Sequence, residues 1–240
     1  MPSTAESNRD ESGGYGQFCP VAMAAEIVCT RWTALLLREL IAGSTRFNEL
    51  RRGVPRMSPA LLSKRLKELQ QAGVIERKSG PGREEAEYRL TPAGQDLREV
   101  VWSLGVWGQR WIRAQVTLKN LDPSLLMWDM RRNLDPTPLP PRRSVIHVQY
   151  PELPSPRRNW WLIVDKEGVD LCSVDPGHDV DLYVVADLRT MTAIWMGLAS
   201  VEGEVDAGRL LLTGDVALQR SMQRWLGLSP FAKEKKRAAA

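Results

Sequence analysis

The sequence predicts an α+β protein built of two domains. Three observations predict it. Residues 20–71 carry leucines and other apolar residues at helical spacing, broken by short turns. Residues 136–141 contain Pro136, Pro138, Pro140 and Pro141, a density that favours extended, semi-rigid chain and marks a boundary. Beyond it, residues 144–186 read mainly as strands before helical spacing returns.

The 240 residues suit two small domains, and 43% hydrophobic with 26% charged residues is ordinary for a soluble globular chain. No uncharged apolar run approaches the ~18 residues of a membrane span, and no secretory leader opens the chain. A cytoplasmic protein with no membrane partner is expected. Cys19, Cys29 and Cys172 are too few and scattered for a disulfide framework. There is no CxxC or His/Cys cluster, so neither a structural zinc nor another cofactor is expected.

Residues 1–17 are polar and poor in large apolar side chains, which predicts a flexible tail. Residues 18–116 form the first domain. Pro20 opens a short helix over 20–28, and a second helix over 33–42 carries Leu36, Leu37, Leu40 and Ile41 before Gly43 stops it. A third, over 46–51, carries Phe47 and Leu50 and ends at Gly53 and Pro55. Trp32, Phe47 and the leucines are read as core. Ser58 and Pro59 are N-cap and first residue of a fourth helix. Its Leu62, Leu66 and Leu69, at i, i+4 and i+7, form one buried stripe, and Gly73 closes it. Residues 74–78 and 86–90 alternate as a hairpin around the glycine-rich tip 79–82. Thr91 and Pro92 cap a long helix to about residue 116, with Leu97, Val101, Leu104, Trp107, Trp111 and Ile112 on its apolar face.

Residues 117–141 are expected as a linker with one short helix, 123–132. The second domain, 142–228, reads as strands over 144–150, 159–165, 169–174 and 181–186. A helix with Met191, Ile194, Trp195 and Leu198 follows, then a strand over 208–213 and a helix over 215–226. Helices are expected to cover one face of the sheet. Residues 229–240 are expected as a basic tail, frayed from 233.

The net charge of +4 is unevenly placed. Within residues 44–83 the cations are Arg46, Arg51, Arg52, Arg56, Lys64, Arg65, Lys67, Arg77, Lys78 and Arg83, against Glu49, Glu68 and Glu76. One basic patch on one domain fits a polyanion, although a solvated charged face is the commoner origin of such a run. Helix, turn, helix and basic hairpin is a winged-helix arrangement. The DNA major groove admits one helix, whose exposed N-terminal half must carry short or polar side chains. Here that face holds Ser58, Pro59, Ala60, Ser63, Lys64 and Lys67, with Arg65 near its edge. Arg77, Lys78 and Arg83 lie where a wing meets phosphates or the minor groove, and Arg46 is expected to position rather than specify.

The ordered set Cys19-Pro20-Val21, Arg31-Trp32, Leu37-Arg38-Glu39-Leu40, Arg46-Phe47-Asn48-Glu49-Leu50, Ser58-Pro59, Leu62 to Leu66 with Arg65, Gly73, Tyr88-Arg89-Leu90-Thr91-Pro92 and Gly94 resembles the HxlR-type winged helix-turn-helix transcriptional regulators. The resemblance covers about the first half of the chain. It implies a homodimer through the first and the long helices, bound to a pseudo-palindromic operator of double-stranded DNA. The two recognition helices would then lie ~34 Å apart.

In the second half, Asp181-Leu182-Tyr183-Val184-Val185-Ala186-Asp187-Leu188, Ile194-Trp195-Met196-Gly197, Gly208-Arg209-Leu210 and Thr213-Gly214-Asp215 resemble sterol-carrier-protein-like domains. That implies an apolar tunnel and a hydrophobic small-molecule effector. Trp160, Met191, Ile194, Trp195, Met222 and Trp225 are the candidate walls, although each such residue is more often plain core.

No catalytic constellation is legible. His147 and His178 are the only histidines, and neither GxSxG nor HExxH accompanies them, so a non-enzyme is expected. Cys19 precedes Pro20 at a helix N-terminus, where the dipole favours a thiolate. Some members of the resembling family sense oxidants or electrophiles through a cysteine there. A packed small hydrophobe is the plainer reading. The sequence thus predicts an effector-controlled, dimeric DNA-binding regulator. The alternatives are a thiol-based redox sensor using Cys19, or a lipid-binding carrier or interaction protein whose winged helix only dimerises.

Overall fold

Helix starts follow local chemistry. The computed structural model describes residues 14–78, 86–114, 118–119 and 121–237. α1 (Pro20–Val28) begins with proline, whose missing N–H is no loss in a first turn. α2 (Thr33–Ile41) buries Leu36, Leu37 and Leu40. Glu39 is also fully buried, and Arg38 makes this tolerable by donating to it from Nε and Nη2 at 3.0 and 2.7 Å. Trp32 and Phe47, expected in the core, are only partly covered. In α3 (Phe47–Gly53), Glu49 reaches back to accept the N–H groups of Thr45 and Arg46 at 2.9 and 3.0 Å. α4 (Pro59–Gln71) has Ser58 as N-cap, accepting from Leu61 N at 3.3 Å, and buries Leu62, Leu66 and Leu69 as one stripe.

β1 (Ile75–Lys78) and β2 (Glu87–Leu90) pair antiparallel, with Ile75 opposite Leu90 and Arg77 opposite Tyr88. The expected tip, 79–82, lies outside the described residues. α5 (Pro92–Trp111) starts where Thr91 Oγ1 donates to Gly73 O at 2.6 Å and accepts from Gly94 N at 3.2 Å. Gly94 is required by space: a Cβ would lie 2.1 Å from Val74 O. The regular helix ends at Trp111 rather than near residue 116.

The chain divides into two compact units, Met1–Leu50 with Met57–Arg98, and Arg51–Arg56 with Glu99–Ala240. The second unit contains β3 (Ser144–Gln149), β4 (Asn159–Asp165), β5 (Gly168–Cys172), β6 (Leu182–Ala186) and β7 (Leu210–Gly214). Their order is β5-β4-β3-β6-β7, with β3 and β6 parallel and the other neighbours antiparallel. Between and around them run α6 (Pro123–Asn133), α7 (Ser155–Arg158), α8 (Leu188–Trp195), α9 (Val201–Asp206) and α10 (Val216–Trp225). The short α7 and α9 were not expected. Four and six residues give too little periodicity to read.

Strand alternation sorts this sheet. Ile146, Val148, Leu162, Val164, Leu182, Val184 and Leu210 share one face and join Leu126, Met127 and Met130 of α6, Met191 and Ile194 of α8, and Met222 and Trp225 of α10 in one core. The stretch expected as a linker contributes to this core: Leu126, Met127 and Met130 of α6, and Leu134 just after it, are all buried. Asp135 N also donates to Trp225 O at 2.9 Å. The opposite sheet face carries His147, stacked on Trp161 with centroids 4.4 Å apart and edge-on to Tyr183.

The expected frayed tail is corrected through residue 237. Ser229 is buried, and Arg237 N donates to Arg110 O at 2.7 Å. Residues 238–240 lie outside the described residues.

Candidate nucleic-acid interface

α4 presents one open face and two flanks. Ser58, Pro59, Ala60, Ser63, Lys64 and Lys67 are all exposed, because the leucine stripe turns the opposite side inward. On one flank, Ser63, Lys67, Gln70 and Gln71 meet Arg77 and Tyr88 across a cleft of 440 Å³. On the other, Arg65, Glu68, Leu69 and Ala72 meet α1 residues Glu26 and Ile27 across a cleft of 280 Å³.

The wing's pleat separates its cations. Arg77 and Tyr88 are cross-strand partners on the side that lines the α4 cleft. Lys78, one residue on, projects to the other side and pairs with Glu76 at 2.8 Å. Arg83 lies outside the described residues. Arg46 was expected on the third helix but is not part of α3. It precedes that helix and bridges antiparallel to Glu87 of β2, while Tyr88 N donates to Thr45 O at 2.7 Å. This brings an exposed Arg46 beside the wing.

Among the described residues, neither Lys67 nor Arg77 has an ion-pair partner. Lys64 lies 3.9 Å from Glu68, but both are well exposed, so water and salt weaken that pair. Arg65 differs. Its Nε donates to Arg31 O at 3.2 Å, its Nη1 pairs with Glu68, and its side chain is only 18% exposed. Arg65 therefore ties α4 to the scaffold and faces away from the wing cleft. Arg52 also has a protein partner: its guanidinium lies 5.3 Å from the centre of the Trp128 ring.

Lys67 and Arg77 supply only donors, whereas Gln70, Gln71 and Tyr88 can donate and accept. Such a set suits phosphate oxygens and base edges together. Gln70, Gln71 and Tyr88 were missed in the sequence. Ser63, Lys67 and Gln70 at i, i+4 and i+7 run parallel to the leucine stripe, and following that row one more turn finds Gln70. Tyr88 becomes visible only with the strand register.

The other expected residues have clear surroundings. Cys19 is the N-cap of α1 and makes no side-chain cap hydrogen bond, yet the nearby N–H groups of Ala22 and Val21 lower its pKa below the ordinary thiol value. All three cysteines are free thiols. Trp160, Met191, Ile194, Trp195, Met222 and Trp225 are all buried in the second unit's core. The indole N–H groups of Trp160 and Trp225 donate to Arg157 O and Leu218 O at 3.0 and 2.9 Å. Among the described residues no group of His, Cys, Asp or Glu gathers as a metal site. No single described helix is long and apolar enough to cross a membrane.

Residues 27–116 match the family described as HxlR-like helix-turn-helix. The chain is 36% identical over 112 residues to the uncharacterised HTH-type transcriptional regulator YvaP of Bacillus subtilis (strain 168), covering 46% of this chain and 95% of YvaP. It is 36% identical over 105 residues to the uncharacterised HTH-type transcriptional regulator YdeP of the same organism, covering 42% of this chain and 80% of YdeP. The reduced form of the transcriptional regulator YodB from B. subtilis has 30% identity and a TM-score of 0.36, covering 40% of this chain and 97% of YodB.

Proposed function

The chain belongs to the HxlR-like helix-turn-helix family of DNA-binding transcriptional regulators, and from that premise we propose that it reads a pseudo-palindromic operator as a homodimer. The observation that carries the reading is the open face of α4 beside the Lys67–Arg77 cleft. A helix with short residues at its start can approach base edges, while Lys67 and Arg77 neutralise phosphates.

Exposed apolar surface supports a second copy. α1 leaves Val21 and Met23 at 76% and 57% exposure. α5 leaves Val100, Leu104, Trp107 and Trp111 between 46% and 60% exposed. Their spacing of four, three and four is one helix stripe, which fits a helix packed against its symmetry mate.

The second unit provides control. An apolar small molecule enters among Met191, Trp195, Met222 and Trp225 and biases operator affinity. Unbranched, soft Met191 and Met222 support this, because they repack easily. Such control requires different ligand affinities for the two dimer geometries. The lowered pKa of Cys19 favours a second input, an oxidant or electrophile at that thiol.

Selection of bound duplexes from a random pool, with sedimentation of the free protein, tests the reading. Two half-sites about one turn, ~34 Å, apart and a dimer are expected. Sequence-blind binding would favour the carrier or interaction alternative.

A further inference from the structure

α5 has a second occupied side. At 100° per residue, Trp102, Gly105 and Gln109 lie opposite the exposed stripe of Val100, Leu104, Trp107 and Trp111. Residues 229–237 are seated on the Trp102 side. Phe231 covers part of Trp102, with ring centroids 4.8 Å apart, and leaves it 45% exposed. A Cβ on Gly105 would lie 2.2 Å from Phe231 Cζ, so glycine here makes room for the ring. Glu234 pairs with Arg110 at 2.6 Å. At the end of the helix, Lys236 Nζ donates to Ile112 O at 2.8 Å, placing a cation on the negative end of the dipole.

The same segment grips the core. Ser229 N donates to Trp195 O at 2.8 Å, and Ala232 presses on Gly197, where a Cβ would come within 2.9 Å of it. Gln109 of α5 donates from Nε2 to Met196 O at 3.3 Å. Gln109 Oε1 is buried without a partner among the described residues. The joint is therefore tightly fitted but incompletely bonded, unlike a plain core contact. Trp195, Met191, Met222 and Trp225 belong to one cluster, so a shift in that core reaches Ser229 through one hydrogen bond.

We propose that residues 229–237 are a strap that couples the second unit's core to α5, and that seating or releasing it changes DNA affinity. α5 transmits the change as one continuous helix, whose start is fixed to the end of α4 and to Val74 through Thr91 and Gly94. The proposal rests on the DNA-binding reading. It adds a mechanical link that neither the recognition face nor the exposed α5 stripe contains.

Full-length wild type, Gly105→Ala and Phe231→Ala test it. Alanine is the better helix former, so Gly105→Ala should disturb the strap without weakening α5 intrinsically. Phe231→Ala removes the anchor and leaves α5 intact. Amide hydrogen exchange across residues 229–237 and 105–112 reports release, while β3 and β4 report global folding. DNA affinity is measured on a duplex selected from a random pool by the wild type. Both variants should exchange about tenfold faster in the strap and at residues 105–112, with the sheet unchanged. DNA binding should weaken by at least about fivefold.

Strap release with DNA affinity within about twofold of wild type would overturn the coupling. Unchanged strap exchange in both variants would overturn the seating itself. If the wild type prefers no duplex, the DNA-binding reading fails and takes this coupling with it. Strap exchange then still reports the seating separately.

Discussion

Arg77 on β1 and Tyr88 on β2 are direct cross-strand partners, and both line the cleft that Lys67 of α4 enters. The register of two four-residue strands thus decides which wing cation joins α4 in that cleft. Lys78 is its neighbour in sequence but not on the surface. The alternation of side chains along a strand sends it to the other side, where Glu76 holds it.

Arg77→Ala should therefore weaken DNA binding more than Lys78→Ala, by about 1 kcal/mol or more if Arg77 makes a charge-assisted phosphate contact. Equilibrium binding to a selected duplex at fixed salt checks this. Equal effects of the two substitutions would mean that the cleft is not where DNA lies.

Met127→Ala should destabilise the second unit by about 2–5 kcal/mol, because Met127 is fully buried and accepts the Tyr150 hydroxyl at 3.1 Å. Denaturant unfolding of the full chain measures it. A change below about 0.5 kcal/mol, typical of an exposed site, would restore the linker reading of residues 117–141.

Leucine spacing and the Ser58-Pro59 start made α4 and its exposed face legible in the sequence. The segments read as strands over 144–186 and 208–213 match the five strands described in the second unit within a few residues. The misreadings share one cause. Prolines around 136–141 suggested extended chain, but residues 136–139 turn, with Leu139 N donating to Pro136 O at 3.0 Å, and Leu126, Met127 and Met130 were recruited by a core assembled from distant strands. Phe231 and Lys236 sit in a polar, basic stretch whose partners lie more than a hundred residues earlier. Arg65 looked like its neighbours Lys64 and Lys67, and only its bond to Arg31 O distinguishes it.

Cys19 should alkylate faster at neutral pH than in the unfolded chain, and its rate should level off at lower pH. The N–H groups of Ala22 and Val21 lower its pKa and favour the thiolate. Mass spectrometry of iodoacetamide labelling against pH measures this. A pH midpoint equal to that of the unfolded chain would remove the basis for a sensor role.

His147 should make the second unit less stable in mild acid. Burial lowers its folded pKa below the ordinary 6.5, with the Asn159 hydrogen bond and the Asp175 charge partly opposing. Below 6.5 the unfolded chain takes up the proton first. Stability is thus fullest above that pH and falls until the folded pKa is reached. Urea midpoints between pH 7.5 and 5 should show the fall, and His147→Gln should flatten it. A midpoint that rises on acidification in the wild type but not in the variant would reverse the assignment.

The most direct test of the central claim is the salt dependence of binding by wild type and Lys67→Ala, on a duplex selected by the wild type and on a scrambled one. The wild type should prefer the selected duplex and show a steep slope. Lys67→Ala should bind more weakly, with a slope shallower by ~0.9 for each phosphate that it no longer neutralises. Equal wild-type affinity for both duplexes, or a variant with unchanged affinity and slope, would contradict a DNA-reading face built on α4.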